Sequence, residues 1–561
     1  MSARLDPLFA SFHRTDAPGC VVGVAHRGEL VYRAAFGMAN IEHGVANTPA
    51  TRMWVASITK HFTCAAALRL AGAGKLSLED PIGRWVPELT EEQRHPTLRQ
   101  LMSHTGGLRC YIDHAVFDGF VLMPPGRPAA LQCRLSEVNF PPGYGMAYSN
   151  AGYLLLTWAI ERAAGAPLED VLRDGIFAEA GLQSTALLRW AKPVQAGVAT
   201  TYQRASERAG RDRSAAEGIP RSASGAMRGG WQHSVDLAEE LFGDAGVVST
   251  VDDLLHWAAY LRNATGPVSL DTLAAPTGLA NGLQSRYGLG LISKPWRGLR
   301  LIHHAGTLPG VTAQFLTIRE EALDVVVLFN RPGPAVDLSQ KIVAALLEGR
   351  LGEPPSSPVA ASYEELWGEY VSPDTGILFG LSDLDGKLAL SQFGGSPVPL
   401  ESRPPGAGNW PFGTDVGSGD MLFRPAQGTT GPRLPAADRP SARQGDIEYF
   451  DRSGWHLARR ITGAPMSAAE VVQAAPESYR SDCAAATLHF VARDSALEVV
   501  IAGEFGVGHY PAASVGPDLV RFWSPGLAPG VLVRLEREAG LVERVVVSTP
   551  RTRATVFQRI R

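Results

Sequence analysis

The chain is poor in cysteine, and what it has is not arranged to build anything. Cys20, Cys64, Cys110, Cys133 and Cys483 are odd in number and include no C-x-x-C pair, which disfavours a disulfide framework or a zinc ribbon and leaves free thiols. No apolar run reaches the length of a membrane span, so no membrane partner is expected. An excess of positive charge is also missing: 52 Lys and Arg stand against 56 Asp and Glu, a formal net charge of −4. That balance provides no field for phosphates, so no nucleic acid partner is expected. Residues 1–25 carry Asp6 and Asp16 and lack the basic stretch and apolar core of an export signal, which predicts a cytoplasmic protein. What is present is ordinary globular material, 45% hydrophobic and 19% charged over 561 residues. That is too long for one core and predicts two to four domains.

Organisation changes along the chain. Cys20 to Ala25 and Leu30 to Phe36 are β-rich and joined through His26-Arg27-Gly28-Glu29, an opening hairpin. Leu299 to His303, Thr312 to Ile318 and Leu323 to Phe329 have the same character far downstream. Helical patterns such as Gly152 to Ala164 and Val251 to Leu261 lie between. Early and late strands around a helical middle predict an α+β domain over 1–340 whose two ends join one antiparallel sheet flanked by helices. Residues 205–230, rich in Arg, Ser, Ala and Gly, read as a mobile surface excursion. After a helical pattern at Ser339 to Leu347, Glu353-Pro354-Pro355-Ser356-Ser357-Pro358 marks a boundary. Short alternating strands then dominate, with Asp385-Gly386 a strong hairpin signal, and Gly463-Ala464-Pro465 divides them into two β-barrel modules, 360–462 and 463–561. Residues 403–442, rich in Pro and Gly, are expected to form long loops.

Three short motifs carry chemistry. Ser57-Ile58-Thr59-Lys60 opens an apolar run, Phe62 to Leu70, that reads as a buried helix, and no other serine is followed by lysine at the third position. Three-residue spacing puts Ser57 and Lys60 on one helical face, a nucleophile beside a base partner, with helix N–H groups pointing at developing negative charge. Taken alone, Ser57 fits a helix cap equally well. Tyr148-Ser149-Asn150 follows the rigid turn Phe140-Pro141-Pro142-Gly143 and is the single Y-x-N. Tyr148 is a candidate phenolate base, or a turn tyrosine packed on the next helix. His304-Ala305-Gly306 lies in a β-like segment, and its glycine is expected to let a substrate backbone approach. H-x-G also occurs at His26 and His104, so order and context select His304.

In this order S-x-x-K, Y-x-N and H-x-G resemble the serine β-lactamase and penicillin-binding protein superfamily, whose signature is S-x-x-K with S-D-N and K-T-G. Leu101-Met102-Ser103-His104-Thr105-Gly106-Gly107-Leu108, Pro142-Gly143 and Ala245-Gly246-Val247-Val248-Ser249-Thr250 also look like that family. The resemblance implies Ser57 as acylated nucleophile and Tyr148 with Lys60 as the proton-handling pair. It gives Asn150, His304, Gly306 and Thr307 to substrate binding, with Asn150 and His304 also supporting Tyr148 and Lys60, places the oxyanion between the N–H groups of Ser57 and Thr307, and calls for no metal or cofactor.

Two departures narrow the activity. Tyr in the second motif resembles class C β-lactamases, D,D-peptidases and related esterases. His in the third replaces a lysine that typically meets a substrate carboxylate, and a neutral imidazole removes a cation that repels a substrate ammonium by about 1 to 4 kcal/mol at contact. With two trailing barrels, the chain resembles the D-stereospecific aminopeptidases of the superfamily. That implies release of an N-terminal D-residue, D-Ala or Gly among them, from a small amide or peptide, and leaves room for a homodimer. In that family a loop of the last barrel enters the cleft. Gly503 to Leu519, with Glu504, His509, Tyr510 and Asp518, is the expected loop, although the same residues read equally well as a hairpin connection. An esterase or β-lactamase-like hydrolase on the same site is the alternative activity, and a peptide-binding scaffold the non-enzymatic one.

Overall fold

The computed structural model describes residues 2–560 except 120–122, 191–193, 205–229, 235–237, 281, 403–411, 417–418, 427–442, 444, 452–453 and 525–526. The excursion expected at 205–230 therefore lies almost wholly outside the described residues.

The opening hairpin pairs Cys20–His26 (β1) with Glu29–Phe36 (β2), and the late strands are Ile292–Trp296 (β3), Leu299–Leu308 (β4), Val311–Ile318 (β5) and Leu323–Phe329 (β6). They form one sheet in the order β3-β4-β5-β6-β1-β2. Val21 pairs with Leu328 and Val24 with Val325, antiparallel, so the first and last strands of the domain are neighbours. Alternation by two divides the side chains. Val21, Phe315, Val326 and Leu328 face a core shared with the Thr59–Gly72, Asn150–Ala164 and Val251–Asn263 helices. Val22, Val24, Leu316, Val325 and Val327 face a second core closed by the Ser2–Phe9 and Ala335–Leu346 helices. Strands covered on both faces are apolar almost throughout, and Leu323–Phe329 is buried at every position, its single polar residue, Asp324, bonded to Thr317 and Arg262.

The middle unit is a nine-stranded antiparallel sheet whose two edge strands, Val398–Pro399 and Glu401–Ser402, are separated by one residue of chain. The sheet thus curls into a nearly closed barrel. Asp385 and Gly386 both take positive φ, as a two-residue hairpin turn demands. The Pro/Gly-rich stretch expected to be loop contains a paired hairpin, Phe412–Val416 with Gly419–Pro425. Composition hid it, because sheet pairing overrides weak local propensity. The last unit is a closed eight-stranded barrel, with Tyr479–Ser481 pairing Thr555–Arg559 to complete the ring. Closure leaves no strand edge exposed.

Candidate active site

Ser57 lies in a tight 3-10 turn, Ala56–Ile58, that runs directly into the Thr59–Gly72 helix. Ala56 is held at φ +49, a conformation rare for a residue with a side chain. This turn packs on β4, and Gly306 explains how. A Cβ on Gly306 would lie 2.1 Å from the Val55 carbonyl oxygen. The glycine expected to admit substrate backbone instead admits the chain that carries the nucleophile.

Lys60 is wholly buried in its helix. Its Nζ donates to Ser57 Oγ at 3.1 Å, Asn150 Oδ1 at 2.8 Å and the Asp244 main-chain oxygen at 2.8 Å. An ammonium has three donors, and all three are used. Asn150 is the first residue of the Asn150–Ala164 helix, so the Y-x-N motif places its asparagine on Lys60 and its tyrosine alongside. The Tyr148 ring centroid is 4.9 Å from Lys60 Nζ.

Tyr148 is seated on His104, centroids 4.2 Å apart. His104, at φ +59, also clamps the motif through its backbone and ring: Ala147 N–H donates to its carbonyl and Ser149 N–H to its Nδ1. His104 belongs to the Leu101 to Leu108 stretch that sequence comparison singles out, and its task there becomes visible only with Tyr148 above it.

His304 lies behind Tyr148, ring centroids 6.2 Å apart. Burial, then the Lys60 charge, lowers its pKa to about 3, so the imidazole is neutral across physiological pH. Nδ1 sits 2.6 Å from the Ala305 carbonyl and Nε2 2.9 Å from the Tyr287 hydroxyl. A carbonyl can only accept, which puts the proton on Nδ1 and leaves Nε2 to accept from Tyr287. Both ring nitrogens are therefore engaged within the protein. Of the two tasks expected of it, positioning substrate and supporting Tyr148 and Lys60, the geometry on view is its place beside Tyr148.

Ser57, Asn150 and Thr307 line one cleft of about 760 Å³ together with Tyr111, Asp244 and Arg551. Arg551 comes from the last barrel. The expected loop, Gly503 to Leu519, is a strand, Gly506–Gly516, between two tight turns. It docks on the catalytic domain beside the cleft, with Tyr510 hydroxyl donating to the Val116 carbonyl and Glu504 pairing with Arg127. The connection that reaches the cleft is 549–554. Its Arg551 Nε donates to buried Asp113 at 2.9 Å and Thr549 bonds the same carboxylate, while Asn139 accepts from Arg553 N–H and donates to the Arg551 carbonyl. Nothing in the local sequence marks Arg551, because its partner lies 438 residues away.

A profile of the family described as Beta-lactamase matches residues 5–349. The chain belongs to the beta-lactamase family. Within it, D-aminopeptidase from Brucella melitensis is 28% identical over 514 residues, covering 90% of this chain and 87% of that protein. The octameric penicillin-binding protein homologue from Pyrococcus abyssi shares the fold with TM-score 0.52 at 20% identity, over 82% of this chain and 99% of that one. D-amino acid amidase from Ochrobactrum anthropi SV3, complexed with L-phenylalanine, gives TM-score 0.50 at 20% identity, over 62% of this chain and all of its own. This beta-lactamase-family chain is a serine hydrolase similar to D-aminopeptidases. Among its described residues no helix is long and apolar enough to cross a membrane.

Proposed function

We propose that the protein releases an N-terminal D-amino acid, D-alanine, glycine or a similarly small residue, from amides and short peptides through an acyl-enzyme on Ser57. The observation that carries the reading is the Lys60–Ser57 hydrogen bond inside a cleft that a barrel-borne arginine helps to wall. Likeness to the Brucella D-aminopeptidase over nine-tenths of the chain supports the substrate class. The cleft volume falls within the ~300 to 1,000 Å³ of small-ligand sites.

In the proposed reaction Ser57 Oγ attacks the carbonyl carbon and its proton passes to Tyr148, whose phenolate Lys60 stabilises. The C–N bond breaks as that proton moves to the leaving amine, and water then adds to the ester to free Ser57 and the D-residue. The N–H groups of Ser57 and Thr307 receive the oxyanion. One observation favours a second reading of the first step: Lys60 Nζ stands 3.1 Å from Ser57 Oγ, so a neutral Lys60 amine, present once its own proton has been given up, is the rival acceptor.

Purified protein is expected to hydrolyse D-alanine p-nitroanilide at least tenfold faster than the L-isomer, with turnover abolished and the circular dichroism spectrum retained in Ser57→Ala. Equal rates on the two isomers would sink the stereochemical reading. Faster turnover of a chromogenic cephalosporin or of p-nitrophenyl esters alone would favour a β-lactamase-like enzyme or an esterase.

A further inference from the structure

Lys60 meets Asp244 through the main-chain oxygen of that residue, so the Asp244 carboxylate is not consumed by the lysine. Asp244 is 4% exposed and lines the cleft with Ser57, yet its Oδ1 has no hydrogen-bond partner among the described residues. A buried carboxylate oxygen without a donor carries its full desolvation cost. In a cleft wall, such a group is a place for a ligand cation. The other carboxylates nearby are engaged. Asp113 is held by Arg551 and Thr549. Glu240, which also lines the cleft, accepts from Gly126 N–H and stands 3.7 Å from Arg189.

We propose that Asp244 binds the α-ammonium of the substrate's N-terminal residue and so makes the cleft specific for free amines. The inference rests on the aminopeptidase reading above. Covalent geometry supports it: an α-nitrogen lies about 2.5 Å from the carbonyl carbon of its own residue, so whatever binds it must stand close to the nucleophile. Asp244 does, since its carbonyl, Lys60 Nζ and Ser57 Oγ are joined by consecutive contacts of 2.8 and 3.1 Å. Burial raises the Asp244 pKa, while Lys60 and the Tyr111 hydroxyl oppose that shift. An arriving ammonium adds a further opposite charge and stabilises the anion. An N-acylated substrate brings no charge to offset that burial. Selection for a free terminus is thereby written into one side chain, and the barrel loop need only limit space.

The test compares kcat/KM for D-alanine p-nitroanilide with that for p-nitrophenyl acetate, which carries no amine. In Asp244→Asn the ratio of the two is expected to fall at least tenfold, chiefly through KM for the amine substrate, and Glu240→Gln is expected to keep the wild-type ratio. Equal losses on both substrates in Asp244→Asn would assign the residue to supporting Lys60 and overturn the proposal, as would a ratio that falls in Glu240→Gln instead. Wild-type protein that cleaves the acetate and not the D-alanine substrate would overturn the aminopeptidase reading and this inference with it; a wild-type preference that survives Asp244→Asn overturns this inference alone. Because a buried Asn can unsettle the fold, a second measurement uses Ser57→Ala crystals soaked with D-alanine p-nitroanilide. The ammonium nitrogen is expected within hydrogen-bond distance of the Asp244 carboxylate, and its placement elsewhere refutes the assignment.

Discussion

Lys60 is wholly buried, and the Ser57 hydroxyl, the Asn150 side-chain oxygen and the Asp244 main-chain oxygen give its Nζ three acceptors there. Removing the Ser57 or Asn150 side chain takes one of those acceptors away, so these two side chains and the lysine act as a unit whose single-residue effects will not add, whereas the Asp244 contact, made by the main chain, survives substitution there. Tyr148, beside rather than within that set, offers the cleanest test of who takes the serine proton. If Tyr148 is the base, Tyr148→Phe should lower kcat by roughly 10²- to 10⁴-fold with KM little changed. A loss under tenfold in steady-state kinetics would hand the role to Lys60. His304, neutral and bonded on both nitrogens, sets no titration of its own in the working range.

At the scale of elements, the site is assembled by segments that approach more closely than side chains normally permit. The Ala56–Ile58 turn against Gly306 on β4 is one such approach. The barrel connection 549–554 is another, and its hold on the catalytic domain is concentrated in the pairing of Arg551 with Asp113, whose side chain is wholly buried. Burial works against the Arg551 charge, but Asp113 raises its pKa above the ordinary value. Arg551→Ala strands the Asp113 carboxylate in the interior. The expected cost is about 3 kcal/mol, read as a lower urea midpoint. Withdrawal of the loop should also let the enzyme accept longer substrates, seen as a rise in tripeptide relative to dipeptide turnover. An unchanged midpoint and length profile would deny the loop both roles. In the middle barrel, His456 sits between Asp374 and Asp451 at 2.7 and 3.2 Å. Burial disfavours its charge, but the two carboxylates outweigh that and raise its pKa from 6.5 to about 9. A folded pKa above the unfolded one stabilises fully below the unfolded value and ceases to as pH rises through the folded value. Stability contributed by His456 should therefore be complete below about pH 6.5 and disappear through pH 9. Urea unfolding at pH 6 and pH 10 checks this, the difference shrinking in His456→Gln.

Across the whole molecule, the last barrel is a structural partner of the catalytic domain as well as a wall of its cleft. Val116 and Phe117 of the catalytic domain belong to the barrel's own hydrophobic core. A Cβ on Gly503 would strike the Phe117 carbonyl at 2.2 Å, and one on Gly119 the Gly506 carbonyl at 2.3 Å. The barrel also shares an apolar cluster with the middle unit through Leu378, Phe393, Val515, Leu519 and Leu532. Truncation before residue 463 would expose these surfaces together, and the shortened chain is expected to aggregate or lose its cooperative melt. A soluble, two-state truncated protein by calorimetry would show the barrels to be separable. At this scale, deleting the barrel is a poor way to ask about gating, and Arg551→Ala is a better one.

Elements that depend on neighbours in the chain were legible in the residues alone. The S-x-x-K spacing put Lys60 on Ser57 because three residues bring two side chains to one helical face. The β-rich segment Leu323 to Phe329 announced a strand, and Asp385-Gly386 a turn that needs two positive φ values. What depends on residues far apart came from the packing: that His304 bonds Tyr287, that Gly306 makes room for the nucleophile's own turn, and that the barrel enters the cleft at 549–554 rather than at Gly503 to Leu519. The physical reason is the same in each case. Hydrogen bonding and steric fit act across space, and the partners of Arg551, His304 and Asp244 are set by how the layers pack, which no local pattern of residue types records.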